Sequence, residues 1–303
     1  MAKYLIIFGA GASYGSDDEK FTPPLGENLF SSLAGYNPDG WGQIRGNLAD
    51  KFVTDFEAGI VELSKQNPHA LPPLQRVMAA YFFNFVPRES NLYYSLAKKI
   101  SSTNWNGSLA TLNYERLLEI SLLAAGMQPF VGVSNADHNK TIELCLPHGC
   151  CHIFCESVRG TAGLVSFAGM NVSTNGLIKI IGDQLEFQQR IKIDAFPPVM
   201  SYFEPNKQTT SGNNFIMSQR QRFFELVKEA EVIVLVGIRV REYDKHIWEP
   251  LGQSSAKLIY VSGEVGKNEF VTWKNKKRSN SSDLALGGYF KDSYATILKE
   301  IEL

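Results

Sequence analysis

The residues of this chain that could do chemistry sit where apolar runs stop. Tyr4-Leu5-Ile6-Ile7-Phe8 ends abruptly at Gly9-Ala10-Gly11-Ala12-Ser13. Glycines in such a turn let backbone N–H groups close on an anion such as a phosphate. The same turn also serves as an ordinary strand-to-loop connection, and Tyr14 stands where the dinucleotide fingerprint has its third glycine. Leu109-Ala110-Thr111-Leu112-Asn113-Tyr114-Glu115 offers an amide and a carboxylate just past a second run. Asn is a favoured N-cap and Glu suits a first helical turn, so capping is a complete account of both. An amide at the carboxyl end of a strand also suits ligand binding in an open α/β sheet. Leu144-Cys145-Leu146-Pro147-His148-Gly149 puts an imidazole, the side chain suited to proton transfer, at a third strand end. A structural histidine is the alternative. Val232 to Val236 ends in Gly237, and Lys257 to Val261 ends in Ser262.

The four cysteines, Cys145, Cys150, Cys151 and Cys155, fall within one short segment and raise the question of a metal. Paired C-x₂-C knuckles, the strong zinc pattern, are absent. Four thiols so close in a strand–turn–strand segment do not readily surround one ion. The expectation is small buried residues in a reducing compartment, and no metal.

These positions need elements to hold them. The fully apolar runs read as strands buried on both faces of a parallel sheet. Gly15 to Lys20 reads as a polar, mobile loop. Phe21-Thr22-Pro23-Pro24-Leu25 reads as a stiff turn before a helix, either a lid over the first turn or a plain crossover. Residues 31–104 read as a helical insertion. Ile44, Leu48, Phe52, Phe56, Ile60 and Leu63 follow one helical spacing; Leu74, Val77, Met78, Tyr81, Phe82 and Phe85 follow another; Leu92 to Ile100 suggests a third helix. A helix is expected from about Asn113. Residues 152–212 read as β-rich and irregular, with Leu164-Val165 and Leu177 to Ile181 as short runs, Phe196 to Met200 as strand or loop, and Asn206 to Asn214 as a flexible loop. Helices are expected over Phe215–Ala230, from His246, and over Ser293–Ile301. Lys274 to Arg278 reads as a solvated basic loop.

With 303 residues, 44% hydrophobic and 20% charged, the chain suits a globular α/β protein. A net charge of −1 gives no field to steer it toward nucleic acid or an anionic membrane. No apolar run is long enough to span a bilayer, and the N-terminal run lacks the basic flank of a signal peptide. The cytoplasm is the expected compartment.

Taken in order, Gly9-Ala10-Gly11-Ala12-Ser13, Thr111-Leu112-Asn113-Tyr114-Glu115, Pro147-His148-Gly149 and the strand ending at Gly237 resemble the motifs of the sirtuin superfamily. Pro24-Leu25-Gly26-Glu27-Asn28-Leu29-Phe30 and the Gly237 to His246 segment resemble its prokaryotic NAD-hydrolysing branch, which acts in anti-phage defence. The resemblance covers nearly the whole chain. It implies a single Rossmann-like NAD-binding domain over residues 1–303, with a parallel sheet, helices on both faces and the helical insertion.

It implies NAD as substrate, hydrolysed to ADP-ribose and nicotinamide. The first turn would cradle the pyrophosphate, Asn113 would orient the nicotinamide ribose and a water, and His148 would act at the ribose hydroxyls. Gly9, Ala10, Gly11, Ala12, Ser13, Pro24, Leu25, Thr111, Gly237 and Ser262 would line the nucleotide. Nicotinamide is a cationic leaving group, so its departure needs no general acid. What remains is ribose orientation and a proton acceptor, work for one amide and one imidazole.

The resemblance also implies an activity gated by homo-oligomerisation or by a separate partner such as a defence ATPase or Argonaute-like protein. Protein deacylation, ADP-ribosyl transfer and non-catalytic NAD sensing are the alternatives. The chain departs from the deacylating pattern: the Asp-Phe-Arg sequence after Tyr14 and the zinc ribbon after His148-Gly149 are missing, and Arg239 and Arg241 replace Ser or Thr.

Overall fold

The computed structural model describes residues 3–131, 140–156, 174–201, 211–278 and 281–303. Its strands are β1 (Tyr4–Phe8), β2 (Gly107–Thr111), β3 (Gln128–Phe130), β4 (Thr141–Cys145), β5 (Ile153–Cys155), β6 (Ile178–Ile180), β7 (Val232–Val236), β8 (Lys257–Ser262) and β9 (Leu284–Gly287). Seven of them form one sheet in the order β3-β4-β2-β1-β7-β8-β9, every pairing parallel. β5 and β6 make a separate antiparallel pair. The sheet is Rossmann-like: the chain runs outward from β1 on one side and returns to start again at β7 on the other. β1 is therefore the topological switch point, and ligands in such sheets bind beyond the carboxyl ends of the strands there.

The apolar run of β1 is explained by burial on both sides. Tyr4, Ile6 and Phe8 enter one core, while Leu5 and Ile7 enter the other. The helices are α1 (Ala10–Tyr14), α2 (Gly26–Tyr36), α3 (Gly46–Thr54), α4 (Phe56–Gln66), α5 (Leu71–Phe83), α6 (Leu92–Ser101), α7 (Leu117–Ala124), α8 (Gln184–Ile193), α9 (Asn213–Glu229), α10 (Lys245–Gln253), α11 (Glu264–Lys277) and α12 (Phe290–Glu300). Residues of α2 to α7 and α12 join the first core. Phe223, Leu226, Trp248, Phe270 and Trp273 of α9, α10 and α11 join the second. Helices thus cover both faces, and α2 to α6 fill the expected helical segment between β1 and β2. No helix among the described residues is long and apolar enough to cross a membrane.

Several local expectations need correction. The spacing from Ile44 to Leu63 belongs to two helices. Asp55 leaves helical geometry at φ −151° and its side chain accepts from the amides of Glu57 and Ala58, which ends α3 and starts α4. Residues 184–193, expected to be irregular, form α8, capped by Asp183 accepting from Glu186 N. Of the two readings of Phe196 to Met200, strand or loop, the structure has the loop, with one bridge between Met200 and Gly149. Lys274 to Lys277 closes α11 instead of forming a loop. Arg278 is buried against Asp283 and donates to the carbonyls of Ser254 and Ala256. Leu164-Val165 and residues 206–210 lie outside the described residues.

The turns after β1 and β7 interlock. Gly11 N donates to Gly237 O at 2.9 Å. Gly237 adopts φ +64°, and a Cβ there would fall 2.0 Å from Ala12 N. Gly237→Ala therefore combines left-handed strain, about 1–3 kcal/mol by itself, with backbone overlap. The expected result is a clear fall in the denaturant midpoint; an unchanged midpoint would show that the two turns do not interlock.

Candidate active site

The turn after β1 is the floor of the site. Gly9 N donates to Val236 O, Gly11 N to Gly237 O and Ala12 N to Gly9 O, each at 2.9 Å. Three of the amides expected to face an anion are thus engaged within the protein. The glycines instead allow close backbone approach: a Cβ on Gly9 would fall 2.7 Å from Gly237 O, and one on Gly11 2.9 Å from Gly237 Cα. Ala10 is the exposed residue of the turn, while Ala12 and Ser13 are fully buried.

Asn113 is not a helix cap. α7 starts at Leu117, and it is Glu115 Oε2 that accepts from Leu117 N, at 2.6 Å. The Asn113 amide turns toward the β1 turn. Its Nδ2 donates to Gly9 O at 3.1 Å and to Ser13 Oγ at 2.8 Å. A carbonyl can only accept, so this contact fixes which end of the amide is nitrogen. Oδ1 is left as the acceptor end. Thr111 Oγ1 accepts from Asn113 N at 3.1 Å and holds the turn that presents it.

Ser13 Oγ is the hub beneath this amide. It also meets Tyr93 OH at 2.9 Å and donates to Glu115 Oε1 at 2.5 Å. One donor and two acceptor sites are all that a hydroxyl has. With Asn113 and Tyr93 donating and Glu115 accepting, Ser13 is saturated. Burial pushes the Glu115 carboxyl above its ordinary value of 4.5, against the stabilising donations of Ser13 and Leu117 N. Burial likewise pushes the Tyr93 phenol well up.

His148 is tied to the segment that carries Asn113. Its Nδ1 lies 3.2 Å from Leu112 O, the carbonyl one residue before Asn113. That carbonyl requires the proton on Nδ1 and leaves Nε2 with the lone pair when the ring is neutral. Nε2 sits 2.9 Å from Nε2 of His246, in the first turn of α10. The peptide segment is pinned by Ser201 N donating to His148 O at 2.8 Å, and Tyr114 OH donates to Ser201 O at 2.6 Å.

The remaining expected residues are more dispersed. Pro24 and Leu25 are half-buried just ahead of α2, and Ser262 ends β8, two strands out from β1. The Gly237 loop is tied elsewhere through its arginines. Arg239 pairs with Glu269 at 3.0 Å, and Arg241 pairs with Glu57 at the start of α4 at 2.5 Å.

The cysteines do not act as one group. Cys145 Sγ donates to Gln219 O at 3.2 Å. Donor atoms of Cys150, Cys151 and His152 come within 4.8 Å of one another, a grouping that includes a histidine the sequence reading did not consider. Cys150 Sγ contacts Tyr114 O and His152 Nδ1, both at 3.1 Å, and His152 Nε2 lies 3.3 Å from Glu119 Oε1. Burial alone would pull His152 down, but Glu119 and Cys150 outweigh it and hold the imidazole up, at about 10. Functional reading of the sequence missed His246, Tyr93 and the Ser13–Glu115 contact. Only the Gly237 to His246 spacing hinted at the first.

No family model and no curated protein sequence matches the chain. A solved Sir2 structure, in complex with the inhibitor EX-527, 2'-O-acetyl-ADP-ribose and a deacetylated p53 peptide, is similar to it at 13% identity and a TM-score of 0.43, over 98% of this chain and 93% of that chain.

Burial of Glu115 has a consequence for stability. The folded protein keeps this proton to higher pH than the unfolded chain, so stability falls as pH rises through the unfolded carboxylate range, until the folded group ionises too. Glu115→Gln cannot ionise. Its unfolding free energy relative to the parent should improve as pH is raised from about 4 toward 7, by at most about 1.4 kcal/mol per pH unit. Denaturant titrations across that range check this, and a pH-independent difference contradicts it.

Proposed function

We propose that the chain is an NAD glycohydrolase that cleaves the bond between nicotinamide and ribose C1′. The observation that carries this reading is the orientation of Asn113 and His148. Gly9 O accepts from Asn113 Nδ2, and Leu112 O lies 3.2 Å from His148 Nδ1, so both side chains are tied to main-chain carbonyls at the carboxyl ends of parallel strands, where such sheets bind ligands. The order of the motifs along the chain, and their resemblance to the sirtuin set, support the same reading.

The chemistry follows from what each atom can do. The C1′–N bond breaks and its electron pair goes to the pyridinium nitrogen, which leaves as neutral nicotinamide. The ribose centre becomes oxocarbenium-like and is met by a water oxygen. Asn113 Oδ1 accepts a hydrogen bond from a ribose hydroxyl or from that water and fixes the geometry. The proton lost by water passes to the imidazole lone pair of His148. Ala10, exposed on the first turn, lies where the nucleotide's phosphates would approach, with Thr111 and Gly237 shaping the turns around it. Pro24, Leu25 and Ser262 would form the outer contacts. No step of this chemistry calls for a metal.

The reading extends to biology through the sirtuin-like motif set. A free NAD hydrolase would deplete its own host, so control by self-assembly or by a separate partner, such as a defence ATPase or Argonaute-like protein, belongs to the proposal. The role is that of a cytoplasmic anti-phage effector.

Nicotinamide release from NAD tests the assignment. Asn113→Ala and His148→Ala should each lower turnover by about 10²–10⁴-fold. NAD binding should change little, while Asn113→Ala should also melt earlier, losing about 1–3 kcal/mol because Gly9 O and Ser13 Oγ are left short of a donor. Near-parental turnover by either folded variant would remove that residue from the mechanism. Failure of the parent to bind NAD or release nicotinamide at any protein concentration would overturn the reading.

A further inference from the structure

Cys150, Cys151 and His152 form a turn closed to solvent, at 0%, 0% and 3% exposure. Main-chain bonds hold it. Cys150 N donates to Val199 O at 3.0 Å, Cys151 N to Tyr114 O at 2.9 Å and Ile181 N to His152 O at 3.0 Å. Gly149, at φ +75°, makes the sharp entry to this turn. Both thiols and a ring nitrogen of His152 lie within 4.8 Å of one another. Cys150 Sγ is 3.1 Å from His152 Nδ1. On the far side of the ring, His152 Nε2 lies 3.3 Å from Glu119 Oε1, in the first turn of α7. A hydrogen-bond chain accounts for Cys150, His152 and Glu119 but gives no part to Cys151.

We propose that this trio is a structural site for a zinc-class divalent cation, with Cys150 Sγ, Cys151 Sγ and His152 Nδ1 as ligands and Glu119 orienting the histidine. Thiolate and imidazole select such cations over magnesium or calcium, which take oxygen ligands. Two thiolates cancel a divalent charge, so the loaded site is neutral, as its burial requires. An imidazole that ligates through one nitrogen needs an acceptor for the N–H on the other, and a carboxylate is a usual one. Glu119 stands at that place. The Cys150–His152 contact has hydrogen-bond length and opens to about 3.5 Å around a tetrahedral cation. On loading, the two thiol protons and any proton on His152 Nδ1 leave to solvent. The fourth position falls to a water or a main-chain oxygen; Tyr114 O, 3.1 Å from Cys150 Sγ, is at hand. The sequence expectation of no metal weighed the cysteines alone, whereas the fold adds a histidine and a carboxylate. The turn lies between His148-Gly149 and Tyr114, so the cation pins together the segments that carry His148 and Asn113.

The full chain, stripped with a chelator and reloaded with zinc chloride or cobalt(II) chloride, tests the site. About one zinc ion per chain should survive gel filtration, and cobalt should give the thiolate-to-metal charge-transfer band of sulfur ligation. Zinc should raise the melting temperature of the stripped chain. Cys151→Ser and His152→Gln should each lose the metal. Cys145→Ser, whose hydroxyl can still donate to Gln219 O, should keep it. Glu119→Gln should weaken zinc binding by about 10–100-fold. A stripped chain that takes up no zinc and gives no charge-transfer band would overturn the site. Zinc held at parental affinity by either Cys151→Ser or His152→Gln would also overturn it and mark an adventitious ion only. If those variants do not fold, the cobalt spectrum of the parent decides: sulfur ligation supports the site and its absence overturns it. None of these readouts depends on NAD. A chain that binds zinc as expected but releases no nicotinamide would overturn the NAD reading and leave the metal site standing.

Discussion

One backbone contact underlies the site: Gly11 N on Gly237 O, where the turns after the first and seventh strands cross. Neither turn has room for a β-carbon at this crossing. The crossing locks the two halves of the sheet in register at their carboxyl ends. It also presents Gly9 O to Asn113, from the strand on the far side of β1. Chain segments more than a hundred residues apart are thus laced together through main-chain atoms. Side chains can then be placed against a frame that does not depend on rotamers.

Carbonyl oxygens do the orienting. An amide or an imidazole can flip, but an oxygen that only accepts removes the ambiguity. Gly9 O does this for Asn113 and Leu112 O for His148. Beneath them, the Ser13 hydroxyl uses every hydrogen-bonding site it has. An unmet buried polar group costs about 1–3 kcal/mol, so a saturated network resists rearrangement. Asn113, Ser13, Tyr93, Glu115 and His148 are all buried, while His246 is half-buried.

The inner strands were legible because both faces of the parallel sheet are buried there, which writes continuous apolar runs into the sequence; the edge strands β3 and β9, only partly buried, gave no such run and were not read. The strand ends, and with them Gly9, Asn113, His148 and Gly237, followed from those runs. The helix start expected at about Asn113 falls at Leu117, because helix-start statistics are local, whereas the Asn113 amide is claimed by Gly9 and Ser13 across the sheet. Glu115, read as a first-turn residue, ahead of α7 takes the cap-like contact with Leu117 N. The break at Asp55 and the start of α8 at Asp183 were written locally, each as an acidic residue two or three positions ahead of the amides it accepts from. Apolar periodicity, which runs across the Asp55 break, hid the first. His246 had no local signal of its contact with His148, because proximity across 98 residues is a property of the fold.

The bond between Arg241 and Glu57 sets an order of assembly. Tyr243 also donates to Glu57, across 186 residues of chain. The Gly237 crossing, this clamp and His246 all come from residues 237–246, while the parts they complete come from residues 9–148. On the ribosome, a nascent chain that has already made its glycine turn, its amide and its first histidine still lacks the strand that closes the frame. The centre is completed only once residues 237–246 have been made, so a product broken off before them lacks it.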